Sequence, residues 1–137
     1  MKKSLILFVT FLSLMAFTTP PAEFSIIGKW EGTVEGEKFG MEFDKDGYAT
    51  LQKGDQRFGG KEFDMGGEKI AMTYEVDYKA TPNLIKISLK RLSTGEKELM
   101  FTIGFRPLND NEFKANIADE DKTPDIDGPD AVVYKRK

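Results

Sequence analysis

The chain has neither cysteine nor histidine. Without cysteine there are no disulfides, no thiolate metal sites and no thiol nucleophile. Without histidine, Ser-His-Asp and Cys-His schemes fall away, together with His-based zinc and iron sites. No glycine-rich loop has the spacing of a P-loop or a dinucleotide fingerprint. After Ser25 no segment carries a 3.6-residue apolar period of helix length. Charge of one sign is also scarce. The formal net charge is −3 at pH 7, which keeps a protein dispersed but gives no electrostatic reason to bind nucleic acid or anionic lipid.

One long apolar run is present, and it stands at the beginning. Met1-Lys2-Lys3 is followed by SLILFVTFLSLMAF over residues 4–17, and Thr18-Thr19-Pro20-Pro21 breaks it. Positive charge, apolar stretch and breaker form the layout of a secretory signal peptide. The run is shorter than the ~20 residues that a spanning helix needs. Residues 1–22 are therefore expected to be a signal peptide cut between Ala16 and Glu23. Residues 23–137 then form one exported domain, periplasmic or secreted, without stable membrane insertion. Losing Lys2 and Lys3 leaves 18 basic against 23 acidic residues in that domain, a net charge of −5. About 115 residues suit a single core held by burial and strand pairing alone.

Period-two alternation runs through the rest. In residues 69–79 (KIAMTYEVDYK), Ile70, Met72, Tyr74, Val76 and Tyr78 share one face, while Ala71, Thr73, Glu75, Asp77 and Lys79 share the other. Residues 84–92 read the same way with Ile85, Ile87 and Leu89 inward. So do residues 97–106, with Leu99, Phe101, Ile103 and Phe105 inward. Shorter runs occupy 27–35, 38–44, 48–52, 112–117 and 131–136, and 57–65 reads as one irregular strand kinked at Gly59-Gly60. Turn chemistry separates the runs, as at Gly36, Gly54, Gly66-Gly67, Gly95 and Asn109-Asp110-Asn111. Short joints between consecutive strands imply antiparallel neighbours in up-and-down order. The expected fold class is all-β, a small antiparallel up-and-down β-barrel of about eight strands. Closure hides the apolar faces and removes both raw edges, which an open sheet of this size would leave bare.

Gly28-Lys29-Trp30 opens the first of these strands. A Gly-x-Trp on strand one of such a barrel resembles the lipocalins and their wider calycin relatives, here as a lipocalin-like domain of a bacterial exported protein. The resemblance implies that Gly28 and Trp30 lie at the closed end of the barrel beneath a basic side chain from near the last strand. Arg136 is the matching residue, with Arg106 as the fallback. Indole is the best cation–π acceptor among side chains, so such a cap is physically sensible. Barrels with two helices after the first strand, or with several tryptophans, fit this chain less well.

The barrel interior is the candidate ligand site, with Met41, Phe43, Met72, Tyr74, Tyr78, Phe101 and Phe105 as its candidate lining. An eight-stranded barrel is just wide enough to be filled by side chains or to hold one small ligand, and both outcomes stay open. Carboxylate-only catalysis would require two acids on an inward face. Glu75 and Asp77 fall on the wet face, so no enzyme, no catalytic residue, no metal and no cofactor are expected. The function expected is non-enzymatic binding of a small hydrophobic molecule. The alternative is a protein-interaction module of the cell envelope with a filled core and an unidentified protein partner. The acid-rich residues 118–130 lack calcium-loop spacing. They are expected to form a mobile, solvated connector whose removal leaves the fold intact.

Overall fold

The computed structural model describes residues 24–120 and 122–137. The signal-peptide reading of residues 1–22, and Asp121 in the acidic stretch, lie outside the described residues. Alternating side chains build ten strands: β1 Gly28–Val34, β2 Glu37–Phe43, β3 Ala49–Lys53, β4 Gln56–Gly59, β5 Phe63–Met65, β6 Glu68–Asp77, β7 Asn83–Arg91, β8 Lys97–Asn109, β9 Glu112–Asp119 and β10 Val132–Arg136. They form one antiparallel sheet in the order β4-β3-β2-β1-β10-β9-β8-β7-β6-β5. Consecutive strands are neighbours except β4 and β5, which form the two edges; the first strand meets the last, and the sheet curls into a nearly closed barrel.

The count of ten corrects the expectation of about eight, and the glycine pair at 59–60 explains the excess. Gly59 and Gly60 have φ of 111° and 85°, values that side chains rarely adopt. The run 57–65 therefore divides. Its first half stays paired with β3 and its second half crosses to β6. Between the halves, Gly60 N donates to Ala49 O at 2.7 Å and Gly60 O accepts from Met72 N at 2.9 Å. The isolated bridge Tyr48–Thr73 and the Tyr74 N to Gly47 O bond at 3.0 Å complete the closure.

Inside, Trp30, Phe43, Phe105 and Phe113 are each no more than 1% exposed. Truncating aromatics in such positions costs ~3–5 kcal/mol each, so these four anchor the core. One irregularity changes the reading of β8. Ser88 pairs with Leu99 while Ile87 pairs with Phe101, so Met100 is the extra residue of a bulge. A bulge inverts the side-chain alternation beyond it. Leu99, expected inward, therefore lies opposite Ser88, and Met100 packs on the core instead.

The acidic connector also departs from expectation. Pro124 and Ile126 are buried, with Ile126 only 7% exposed. The segment leaves β9 and doubles back along the outer wall of β8. A Cβ on Gly104 would stand 3.0 Å from Pro124 Cβ, so the missing side chain makes room for the proline. Asn116 Nδ2 donates to Asp125 O at 2.9 Å, Arg106 pairs with Asp127 at 3.4 Å, and the Thr102 hydroxyl donates to Glu120 O. Six acids surround one useful isoleucine, and the isoleucine decides the placement. Ile126→Ala is expected to lower unfolding free energy by ~2 kcal/mol, the low end for a buried isoleucine. Urea denaturation checks this, and an unchanged midpoint would mean that the strap contributes nothing.

Candidate functional site

Strand directions place two unlike ends on the barrel. One end gathers residues 24–27, the turns at 44–48 and 110–111, the 78–82 connection and the end of β10. The other gathers the turns at 35–36, 54–55 and 66–67, the 92–96 connection and the two feet of the strap, at residue 120 and at 129–131.

The first end is sealed. Trp30 and Arg136 are direct partners across β1 and β10, and the guanidinium carbon lies 4.2 Å from the indole centroid. The same guanidinium donates to Ile27 O at 2.8 Å, Ser25 O at 3.0 Å, Asp110 O at 2.9 Å and Asn111 Oδ1 at 3.2 Å. Trp30 Nε1 donates to Ile26 O at 2.8 Å. These bonds fold residues 24–27 across the opening, and Phe24 packs on Trp30, Phe105 and Phe113 at centroid distances of 5.7, 5.9 and 6.3 Å. Gly28, at φ 134°, would place a Cβ 2.7 Å from Arg136 Nη1. Glycine is therefore required both by the backbone and by the guanidinium. Arg106, the fallback cover, points outward and pairs with Asp127; it is not near the indole.

The candidate lining residues separate into groups. Phe43, Met72 and Phe105 are sealed in the packed core. Phe101 packs against that core half-buried. Tyr74 is half-buried, edge-on to Phe43 at 4.9 Å, and its hydroxyl donates to Asp44 O. Burial raises its pKa, with Asp44 and then Tyr78 adding to the effect. Tyr78, expected inside, is 47% exposed. It lies across the sealed end, where its hydroxyl accepts from Ile26 N at 3.3 Å. Met41, itself buried, borders an open space.

That space is a cavity of about 540 Å³ in the side wall near the second end. Its origin lies in strand pairing. β10 begins at Val132 opposite Ala115, so Asn116–Asp119 of β9 continue with no β10 partner. β1 and β10 keep register only at Trp30–Arg136 and Glu31–Lys135. The wall therefore parts between the tip of β1, the start of β10 and the tail of β9. Met41, Ile103, Ala115 and Tyr134 floor the gap, and Ile117 stands over it. Ile117 faces Ile103 across β8 and β9 yet remains 44% exposed, an inward aliphatic side chain left uncovered among the described residues. Gly32 helps shape the floor, since a Cβ there would fall 2.8 Å from the Tyr134 ring. The rim carries Thr33, Glu35, Asn116 and Asp130.

A second hollow of about 300 Å³ lies on the outer face of β1 to β4, around Gly40. It is polar, and several of its charges are spent on one another: Lys29–Glu42 at 3.6 Å, Arg57–Glu42 at 3.4 Å and Lys137–Glu31 at 3.4 Å. Among the described residues no group of three acids is placed to hold a metal ion. The lateral cavity is thus the better candidate for a ligand, since apolar walls with a few rim polar groups characterise small-molecule sites. Tyr134, Ile103 and Ile117 were outside the candidate lining read from the sequence. Period-two alternation puts all three inward, but only the starting point of β10 reveals that a gap lies above them. Comparisons of the chain with protein-family models, with curated proteins and with solved structures give no match.

Two outcomes are expected from these contacts. Arg136→Met should cost ~2 kcal/mol, by losing charge-assisted bonds to four acceptors and the indole contact. Arg136→Lys should fail to restore it, because an ammonium cannot serve a planar fan of acceptors. Chemical denaturation followed by Trp30 emission measures both. Tyr134 supplies the second outcome. Burial pushes its pKa up to about 12 from the usual 10, so the folded protein holds this proton after the unfolded chain has lost it. The stabilisation is full below pH 10 and is lost as pH rises from 10 toward 12, at ~1.4 kcal/mol per pH unit. Tyr134→Phe should remove that part of the slope, as read from urea midpoints between pH 9 and 11.

Proposed function

We propose that this protein is an exported, non-enzymatic, lipocalin-like carrier that takes up a small hydrophobic molecule through the lateral opening. The observation that carries the reading is Ile117, uncovered above an apolar floor in a barrel whose other central positions are filled. A cavity of about 540 Å³ falls within the ~300–1,000 Å³ typical of small-molecule sites. The sealed opposite end supports the same reading, because a carrier needs one closed wall to hold its ligand dry. The Gly28, Trp30 and Arg136 grouping is the feature shared with lipocalins. The competing reading, an envelope interaction module, draws on the packed core around Phe43, Met72 and Phe105, which leaves little depth for a bulky ligand.

A hydrophobic dye tests the carrier reading. N-phenylnaphthylamine should brighten on binding the purified protein, and Ile117→Gln should weaken uptake about fivefold, the loss of roughly 1 kcal/mol of apolar contact. Its melting temperature should stay close to the parent's, since the residue is half-exposed already. Dye uptake that ignores position 117 would remove the lateral opening from consideration. Native mass spectrometry of protein from its own host would then look for co-purifying molecules.

A further inference from the structure

The rim of the lateral cavity has an electrostatic sign. Its charged lining residues are Glu35 and Asp130, and no lysine or arginine borders it among the described residues. Both carboxylates are exposed, and neither takes part in an ion pair among the described residues. Other acids of this barrel, Glu42, Glu75 and Glu112 among them, have a cationic partner. A smaller hollow of about 260 Å³ at the same end, between Ile70 and Leu89, is of mixed charge, with Arg91 and Lys97 beside Glu68, Glu96 and Glu98, and its Glu68 is paired with Arg91 at 3.5 Å. Glu35 also sits at φ 52° beside Gly36 at φ 80°, a tight hairpin position where Asn, Asp or Gly is the usual occupant. The turn thus carries a longer acid than its backbone favours, at the mouth of an apolar cavity.

We infer that the cavity selects cationic amphiphiles: an apolar body on Met41, Ile103 and Ile117, with a protonated amine or quaternary ammonium at the Glu35 and Asp130 rim. The inference rests on the carrier reading above and adds the charge of the ligand to it. A fatty acid would bring its carboxylate against two others and be disfavoured. A neutral alcohol would gain the apolar contact alone. A cation would gain both, the charge part being modest because the two carboxylates are exposed.

Isothermal titration of the purified protein with dodecylamine, dodecanol and dodecanoate, each below its micelle concentration at pH 7 and low salt, separates these cases. Dodecylamine should bind about tenfold tighter than dodecanol, the effect of two rim carboxylates at modest strength, and dodecanoate should bind more weakly than either. Glu35→Gln with Asp130→Asn should bring the amine down to the alcohol and leave the alcohol unchanged. Asp46→Asn with Asp55→Asn, exposed turn acids away from the cavity lining, removes the same net charge and should preserve the preference. The inference is overturned if dodecanoate matches dodecanol, if the preference survives the rim variant, or if the control variant abolishes it equally. In those cases dodecanol binding that still depends on Ile117 would leave the carrier reading standing. Binding of none of the three would bring down the carrier reading, and this inference with it.

Discussion

Arg136 and Trp30 face each other on the first and last strands, where the two ends of the described chain meet. β1 and β10 are in register at only two residue pairs, too few hydrogen bonds to hold a seam in water. What secures it is the guanidinium, which lies on the indole and also binds the carbonyls of residues 25, 27 and 110. One planar cation thereby joins the last strand, the first strand, the segment preceding β1 and the β8–β9 turn. Arginine suits this role because its five donors lie in one plane and it stays charged at every relevant pH. The indole is completely buried beneath it, so the cap covers the core as well as pinning the backbone.

The asymmetry of the barrel follows from where that joint sits. Close to Arg136 the strands are held together; a few residues away they part. The strap supplies the other half of the cause. Pro124 and Pro129 have no amide hydrogen to offer a sheet, so the chain cannot extend β10 backwards beside the tail of β9. It finds burial on the outside of β8 instead, through Pro124 over Gly104 and through Ile126. The tail of β9 is then left without a partner, and the cavity opens where pairing stops. A proline-bearing connector, usually a sign of an uninvolved loop, here determines where the wall is open.

Much of this architecture is visible in the residues. The alternation Ile70, Met72, Tyr74, Val76 is borne by β6 as read, the meander order follows from the short glycine-rich joints, and the strand run 57–65 bends where Gly59-Gly60 stand. Three features were not legible, each for a reason of range. The bulge at Met100 inverts the faces of Leu99 and its neighbour, and nothing local marks it, because a bulge is set by how β7 and β8 mate. Ile126 is a lone apolar residue among acids, and the strap that carries it is seated through Pro124 on Gly104, a glycine 20 positions before that proline. Tyr78 continues an inward-facing series, but the strand has already reached the barrel end, so the ring closes over the rim. Periodicity tells which side of a sheet a residue faces; it does not tell where the sheet stops.

That limit bears most directly on the cavity. Phe43, Met72 and Phe105 were reasonable candidates because they are large, inward and central, and those same properties make them fill the barrel. In a barrel this narrow, the middle layers are the first to be packed solid, since every strand contributes a side chain to the same small cross-section. The lateral space survives where a strand is missing from the ring. The residues that border it are therefore the ends of strands, and their neighbours are turns and connectors, which carry the charges. An apolar floor beneath a charged rim is thus a geometric consequence of interrupted pairing. The chemistry of the rim remains free to vary, since Glu35 and Asp130 lie in a turn and a connector that the core does not constrain.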